Sequence, residues 1–324
     1  MNFCAERSEK LDNHLCRMVL PSQKRPGKWR EGILQVRVTG KCERACPHCS
    51  EIANTVFYGS DLTVEEAEKA FWSLRDYWGV VGVFGGNPTL HPNFDKICES
   101  MRKWIPYEQR GIWTSGLGRW GKVCRETFNP GVSVLNPHGS LQQFLKFKTE
   151  WPRSRPFSYK DLSCHCAPFV AMSDLIDDEE TRWGLIETCE INQHWSAMIC
   201  KVRGELVGWF CEVAGSMSIL HEEDENWPSL GMPIEDKWWK RGWWDGPKGR
   251  RFADQAVWCC HRCGIPLKCF SLKDDFNEYN VVSPSHFDWF EPKKGVVKMC
   301  RSRDDLECSD TVIRYLKEGK RVSG

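Results

Sequence analysis

The sequence lacks a membrane-spanning segment: no apolar run in its 324 residues approaches the roughly 20 needed to cross a bilayer. No membrane partner is expected. The first ten residues contain no apolar signal core, because Glu6, Arg7, Glu9 and Lys10 interrupt them, and the expectation is a cytoplasmic chain. An excess of one charge is also missing. The 45 Lys and Arg against 44 Asp and Glu leave a net charge of +1, which removes any global electrostatic reason to expect nucleic acid. The hydrophobic content of 41% and charged content of 27% are ordinary for a globular protein, and the length allows one large domain or two smaller ones with a substantial core. Cysteine, by contrast, is abundant. Eighteen cysteines in a reducing compartment argue for metal or redox chemistry rather than a disulfide framework.

Three of them lie close together. Cys42, Cys46 and Cys49 follow a strand expected over residues 32–38, where Ile33, Leu34, Val36 and Val38 are apolar, and they occupy the loop at its carboxyl end. Ligand-binding loops of α/β sheets and barrels sit at that end. Electron-transfer ferredoxin clusters take four cysteines, whereas three thiolates hold three corners of an iron–sulfur cube and leave one iron open. A structural zinc site with His48 as fourth ligand is the alternative. A second stretch, Val83 to Pro92, runs from a buried strand into Gly85 and Gly86, then Asn87 and Pro88. Paired glycines there let the backbone turn tightly and approach a ligand closely.

The spacing Cys-x3-Cys-x2-Cys, with a Gly-Gly strand end at this distance, resembles the radical S-adenosylmethionine (SAM) superfamily. The resemblance implies a [4Fe-4S] cluster on Cys42, Cys46 and Cys49 with SAM chelated at the open iron. It implies His48 beside the adenine, and Gly85, Gly86, Asn87 and Pro88 around the methionine amino group. The superfamily has Gly-Gly-Glu-Pro here. Asn87 stands in place of the Glu, and an amide oxygen accepts from an ammonium without a formal charge, a weaker contact. Ser115 and Ser133, at the third and fourth strand ends, match the places of small polar contacts to ribose and carboxylate, although such residues are also common turn formers. By resemblance an electron from a donor such as flavodoxin or ferredoxin reaches the cluster, SAM is cleaved to a 5′-deoxyadenosyl radical, and hydrogen is abstracted from the substrate.

The expected fold is α/β, a partial (β/α)6 radical SAM barrel over residues 32–190. A small cysteine-rich α+β auxiliary-cluster domain over 191–285 follows, with extensions at 1–31, packing on the barrel, and at 286–324, ending in a helix. Thr63 to Glu66 is a capping box, and Val64, Ala67, Ala70, Phe71, Leu74 and Trp78 follow on one helical face. A second helix carries Phe94, Ile97, Cys98 and Met101, which makes Cys98 a core residue. Further strands are expected at 111–114 and 132–135, and a further helix over about 140–151. Alternation of this kind implies parallel pairing.

A later cysteine group resembles the twitch domain, the shortened SPASM extension that holds an auxiliary cluster. Cys200 and Cys211 bracket a hairpin turning near Gly204, and Cys260 and Cys263 complete four ligands. Cys189 is an alternate for Cys200, and Cys269 or Cys259 for a member of the pair. The longer SPASM run wants a further cysteine where Lys273 stands, so one auxiliary cluster is expected. A zinc ribbon on the same residues is the rival. Between these pieces, residues 237–251 hold four Trp and six Lys or Arg, which either stack on bases and phosphates or pack as an aromatic cluster. The function classes are therefore a radical SAM enzyme acting on a small molecule, one modifying a nucleic-acid base as in phage-type DNA hypermodification, and one modifying a peptide. The last is weakened by the lack of a recognisable winged-helix domain in the short amino-terminal extension. An iron–sulfur or zinc binding protein without turnover is the non-enzymatic alternative.

Overall fold

The computed structural model describes residues 3–24, 32–154, 156–158, 167–194, 196–268, 279–302 and 305–306. After a short helix α1 (Glu9–Leu15), strand and helix alternate. The order is β1 (Ile33–Thr39), α2 (Val64–Ser73), β2 (Val80–Gly85), α3 (Phe94–Trp104), β3 (Arg110–Thr114), α4 (Gly121–Thr127), β4 (Val134–Leu135) and α5 (Leu141–Glu150). Every residue of β1 is buried, as for a central parallel strand covered on both faces. The capping box forms, with Glu66 N–H donating to Thr63 Oγ1 at 3.1 Å and Thr63 N–H to Glu66 Oε2 at 2.8 Å. It satisfies two of the amides that a helix start leaves without partners. Phe94, Ile97, Cys98 and Met101 are wholly buried, so Cys98 is a core residue. Trp78 lies past the α2 C-cap at Leu74 and is 39% exposed, because the helical period no longer applies to it.

The protein is mixed α/β, but among the described residues there are four βα units, not six. Short helices α6 (Met172–Leu175), α7 (Glu179–Ile186) and α8 (Glu190–His194) follow, and then β5 (Ser196–Val202). This strand pairs parallel to β1, on the side away from β2. β6 (Glu205–Trp209) and β7 (Met232–Pro233) add antiparallel, giving a seven-stranded sheet of order β4-β3-β2-β1-β5-β6-β7. The hairpin expected to open an auxiliary domain thus extends the main sheet. Arg203 and Gly204, with φ of 49° and 77°, make the two-residue turn that matches strand twist. Helix α9 (Glu212–Leu220) covers the β1 face that carries Gln35 and Arg37: Gln35 Nε2 donates to Glu212, and Ser216 Oγ to Glu51 Oε1 at 3.3 Å. Arg37 is in turn paired with Glu51 at 3.2 Å. Helices α10 (Phe252–Cys259) and α11 (Pro284–Phe287) and a two-stranded parallel sheet of β8 (Tyr279–Val282) and β9 (Val296–Met299) complete the fold.

The amino-terminal segment packs along α7, α8 and α10. Arg17 pairs with Glu187 at 2.7 Å, Val19 N–H donates to Asn192 Oδ1 at 2.8 Å, and Ala5 N–H to Asp254 Oδ1 at 2.7 Å. The helix expected near the carboxyl terminus lies outside the described residues, as do Cys164, Cys166, Cys269, Lys273 and Cys308.

Two buried histidines make stability sensitive to acid. His221 Nε2 and His286 Nδ1 are 2.8 Å apart, and His286 Nε2 donates to the Arg262 carbonyl at 2.7 Å. His221 also stacks on Trp227 with ring centroids 4.1 Å apart. Burial holds both rings neutral, lowering His221 to about 2 and His286 to about 4. A histidine that protonates less readily folded than unfolded costs no stability above its unfolded value, about 6.5, and loses stability as pH falls below it. The urea midpoint is expected to fall from pH 7 to pH 5, with up to about 1.4 kcal/mol per pH unit from each ring below that value. An unchanged midpoint would show that the pair is not held neutral.

Candidate cofactor site at the strand ends

The carboxyl ends of β1 to β4 gather the residues singled out in the sequence. Gly86 N–H donates to the Thr39 carbonyl at 3.0 Å and Asn87 N–H to the Lys41 carbonyl at 2.7 Å. The Gly-Gly-Asn-Pro turn is thereby laced to the start of the cysteine loop. Only glycine fits in both places. Gly85 has φ of 134°, a Cβ on it would strike the Thr39 carbonyl, and a Cβ on Gly86 would strike that of Lys41. Pro88 opens the single turn that follows.

Cys42, Cys46 and Cys49 are near enough for their charges to act on one another. Burial, then neighbouring charge, pushes Cys42 up to about 11 and Cys49 up to about 12, with Cys46 acting on both. Lys293, brought in by the pairing of Thr55 with Pro292, acts on Cys42 in the opposite direction. Its Nζ donates to the Ala53 carbonyl at 2.9 Å. The donor chemistry fits an iron–sulfur cluster: three partly buried thiols on one short loop, with Glu43 and Glu51 acting to raise them and the cation Lys293 acting the other way. Thiols held protonated by burial become ligands when metal displaces the proton. Among the described residues no three His, Cys, Asp or Glu side chains close around a single-ion position; a cube differs in that each thiolate takes its own iron.

His48, at φ of 59°, is buried. Its Nδ1 accepts from Ala167 N–H at 3.3 Å, and burial lowers the ring to about 4. The ring is therefore neutral, with its proton on Nε2. Ser115 belongs to the site, donating from Oγ to Glu43 Oε1 at 2.9 Å. Ser133 does not. Its side chain is fully buried and bonded within the β3–β4 connection, donating to the Asn129 carbonyl at 2.8 Å and accepting from Ile112 N–H at 3.3 Å.

Two residues not singled out in the sequence complete the surroundings. Glu43 accepts from Asn87 Nδ2 at 3.1 and 3.0 Å. Burial raises its carboxyl, but the bonds from Asn87, its own backbone N–H and Ser115, with the charge of Arg44, outweigh this and hold it below its ordinary value. His138, in the loop after β4, has Nδ1 3.6 Å from Cys46 Sγ. Its sequence signal is the Asn-Pro-His-Gly stretch at the fourth strand end.

The later cysteines form a second group, with one exchange. Cys189, Cys211, Cys260 and Cys263 line one apolar cavity together with Cys259, while Cys200 does not. Register explains this. Val202 pairs with Glu205 and Cys200 with Val207, so Cys211 lies two residues past Trp209, whose partner is Met198. Cys200 instead sits beside Arg37 and Glu51, which act on its thiol. All four cavity thiols are raised by burial first; neighbouring cysteine charge adds to this at Cys211, Cys260 and Cys263, whereas at Cys189 backbone N–H groups and Lys24 oppose it. Buried Lys24 lies near Cys211 and Cys189 and donates to the Asn192 carbonyl at 3.0 Å. Three buried thiols and the half-buried Cys260 suit a cluster with all its irons ligated.

The Trp and basic segment is structural. Trp238 and Trp239 are 0% and 2% exposed, and Trp244 Nε1 donates to Asp12 at 2.6 Å. Lys237, Arg241 and Arg250 are paired with Asp76, Glu235 and Glu205.

Among known proteins, two solved structures of BtrN are similar to this chain. One, in complex with AdoMet and 2-DOIA, has 14% identity, a TM-score of 0.40, and covers 60% of this chain and 82% of its own. The other, in an open conformation, has 14% identity, a TM-score of 0.33, and covers 60% and 80%. At these values the likeness carries no argument about activity. No family model and no curated protein matches the chain.

Proposed function

We propose that this chain is a radical SAM enzyme. The observation that carries the reading is the lacing of the three-cysteine loop to the Gly-Gly-Asn-Pro turn at the carboxyl edge of the parallel strands. Cys42, Cys46 and Cys49 hold a [4Fe-4S] cluster, the Gly85 to Pro88 backbone cradles the amino-acid end of SAM, and neutral His48 lies beside its adenine. When bound, the reduced cluster and SAM together supply a 5′-deoxyadenosyl radical that abstracts hydrogen from the substrate. The thiol cavity of Cys189, Cys211, Cys260 and Cys263 holds one auxiliary cluster, and a flavodoxin or ferredoxin supplies electrons. A small-molecule substrate is favoured: the near-zero net charge and the burial of Trp238 and Trp239 support it over a nucleic acid.

The test is anaerobic reconstitution with iron and sulfide, then reduction in the presence of SAM. Methionine and 5′-deoxyadenosine are expected in equal amounts. A chain that holds its iron and forms neither overturns the proposal.

A further inference from the structure

We propose that the Glu43 carboxylate, presented from the cysteine loop by Asn87 and Ser115, is the anionic acceptor for the ammonium group of SAM. This rests on the reading of the strand ends as a SAM site. The orientation of the Asn87 amide carries the inference. Its Oδ1 lies 2.6 Å from Thr114 Oγ1 and 3.0 Å from Thr89 Oγ1. Both hydroxyls also reach the Gly116 carbonyl, at 2.7 and 2.8 Å. Asn87, Thr89 and Thr114 are all buried, so the amide oxygen is turned into the strand end, away from any ligand.

The amide's other side faces Glu43. Asn87 Nδ2 donates to both carboxylate oxygens and Ser115 Oγ to one of them. An ionised carboxylate offers about four acceptor positions, and Asn87 Nδ2, Ser115 Oγ and its own backbone N–H are three donor groups, which leaves it able to take another. Glu43 is exposed; the cation that acts on it is Arg44, with no ion pair joining the two among the described residues, and Lys41 is paired with Asp61 at 2.6 Å. The formal charge absent from position 87 is thus restored from position 43. Asn87 is a positioning residue: its amide fixes where the carboxylate stands.

Binding of SAM, and of a SAM analogue lacking the α-amino group, to the anaerobically reconstituted full-length chain separates the possibilities. Glu43→Gln keeps the side-chain shape and is expected to weaken SAM on the order of 10- to 100-fold, the range for one charge-assisted hydrogen bond. It should leave the analogue's affinity and the bound iron unchanged. Returning the charge with Asn87→Glu in the Glu43→Gln background should recover most of the SAM affinity. Equal weakening of SAM and analogue, or no weakening of either while the unsubstituted chain binds SAM, overturns the role of Glu43 alone. Iron-loaded unsubstituted chain that binds no SAM overturns the SAM site and this inference with it.

Discussion

Replacing Cys42, Cys46 and Cys49 together with Ala lowers the iron and sulfide bound after anaerobic reconstitution from about eight of each per chain to about four, as expected when one of two cubanes is lost. Cleavage of SAM is expected to be abolished as well. The two effects are linked, because these thiols sit beside the Gly-Gly-Asn-Pro turn while the second group lies in a separate apolar cavity behind α9. Removing the second group leaves SAM binding in place. Removing the first takes away the only proposed site with an open iron. Retention of all iron by the triple variant, or loss of all of it with the fold intact, contradicts two independent clusters.

Cys189→Ala and Cys200→Ala part company. The first removes a cavity thiol and is expected to lower iron from about eight to about four per chain, whereas the second leaves it near eight. Both cysteines are buried, so burial alone does not separate them. The hairpin register does, by setting Cys200 opposite Val207 and carrying Cys211 past the end of β6. Iron analysis of the two variants, with circular dichroism as a check on folding, decides the matter. A loss in Cys200→Ala and none in Cys189→Ala reverses the assignment.

The comparison of these two cysteines shows where sequence reasoning reaches and where it stops. Local rules were readable: Thr63 and Glu66 form their capping box, the glycine pair turns against the cysteine loop, and Cys98 is in the core. Each depends on a few neighbouring residues. Even the turn at Gly204 was readable, but the register it imposes sets Cys200 away from the cavity that Cys189, its expected alternate, lines. The place of β5 beside β1 and the docking of the amino-terminal segment on α7, α8 and α10 depend on long-range packing, which periodicity does not encode. Ser133 stands just before β4, at its amino end, and donates its hydroxyl to the Asn129 carbonyl. Glu43 was passed over because its significance lies in an amide 44 residues away in the chain, a pairing with no local pattern. The Trp and basic segment allowed two readings by composition, and the packed one agrees with buried Trp238 and Trp239 and with the pairing of Lys237, Arg241 and Arg250 to Asp76, Glu235 and Glu205.

The most direct test of an open iron at Cys42, Cys46 and Cys49 is the electron paramagnetic resonance spectrum of the reduced, cluster-loaded chain with and without SAM. Chelation of SAM by that iron changes its ligand field, so a shifted signal is expected on adding SAM, and the shift should vanish in the triple alanine variant. A reduced cluster signal that SAM leaves unchanged would contradict the proposal that this loop binds and activates SAM.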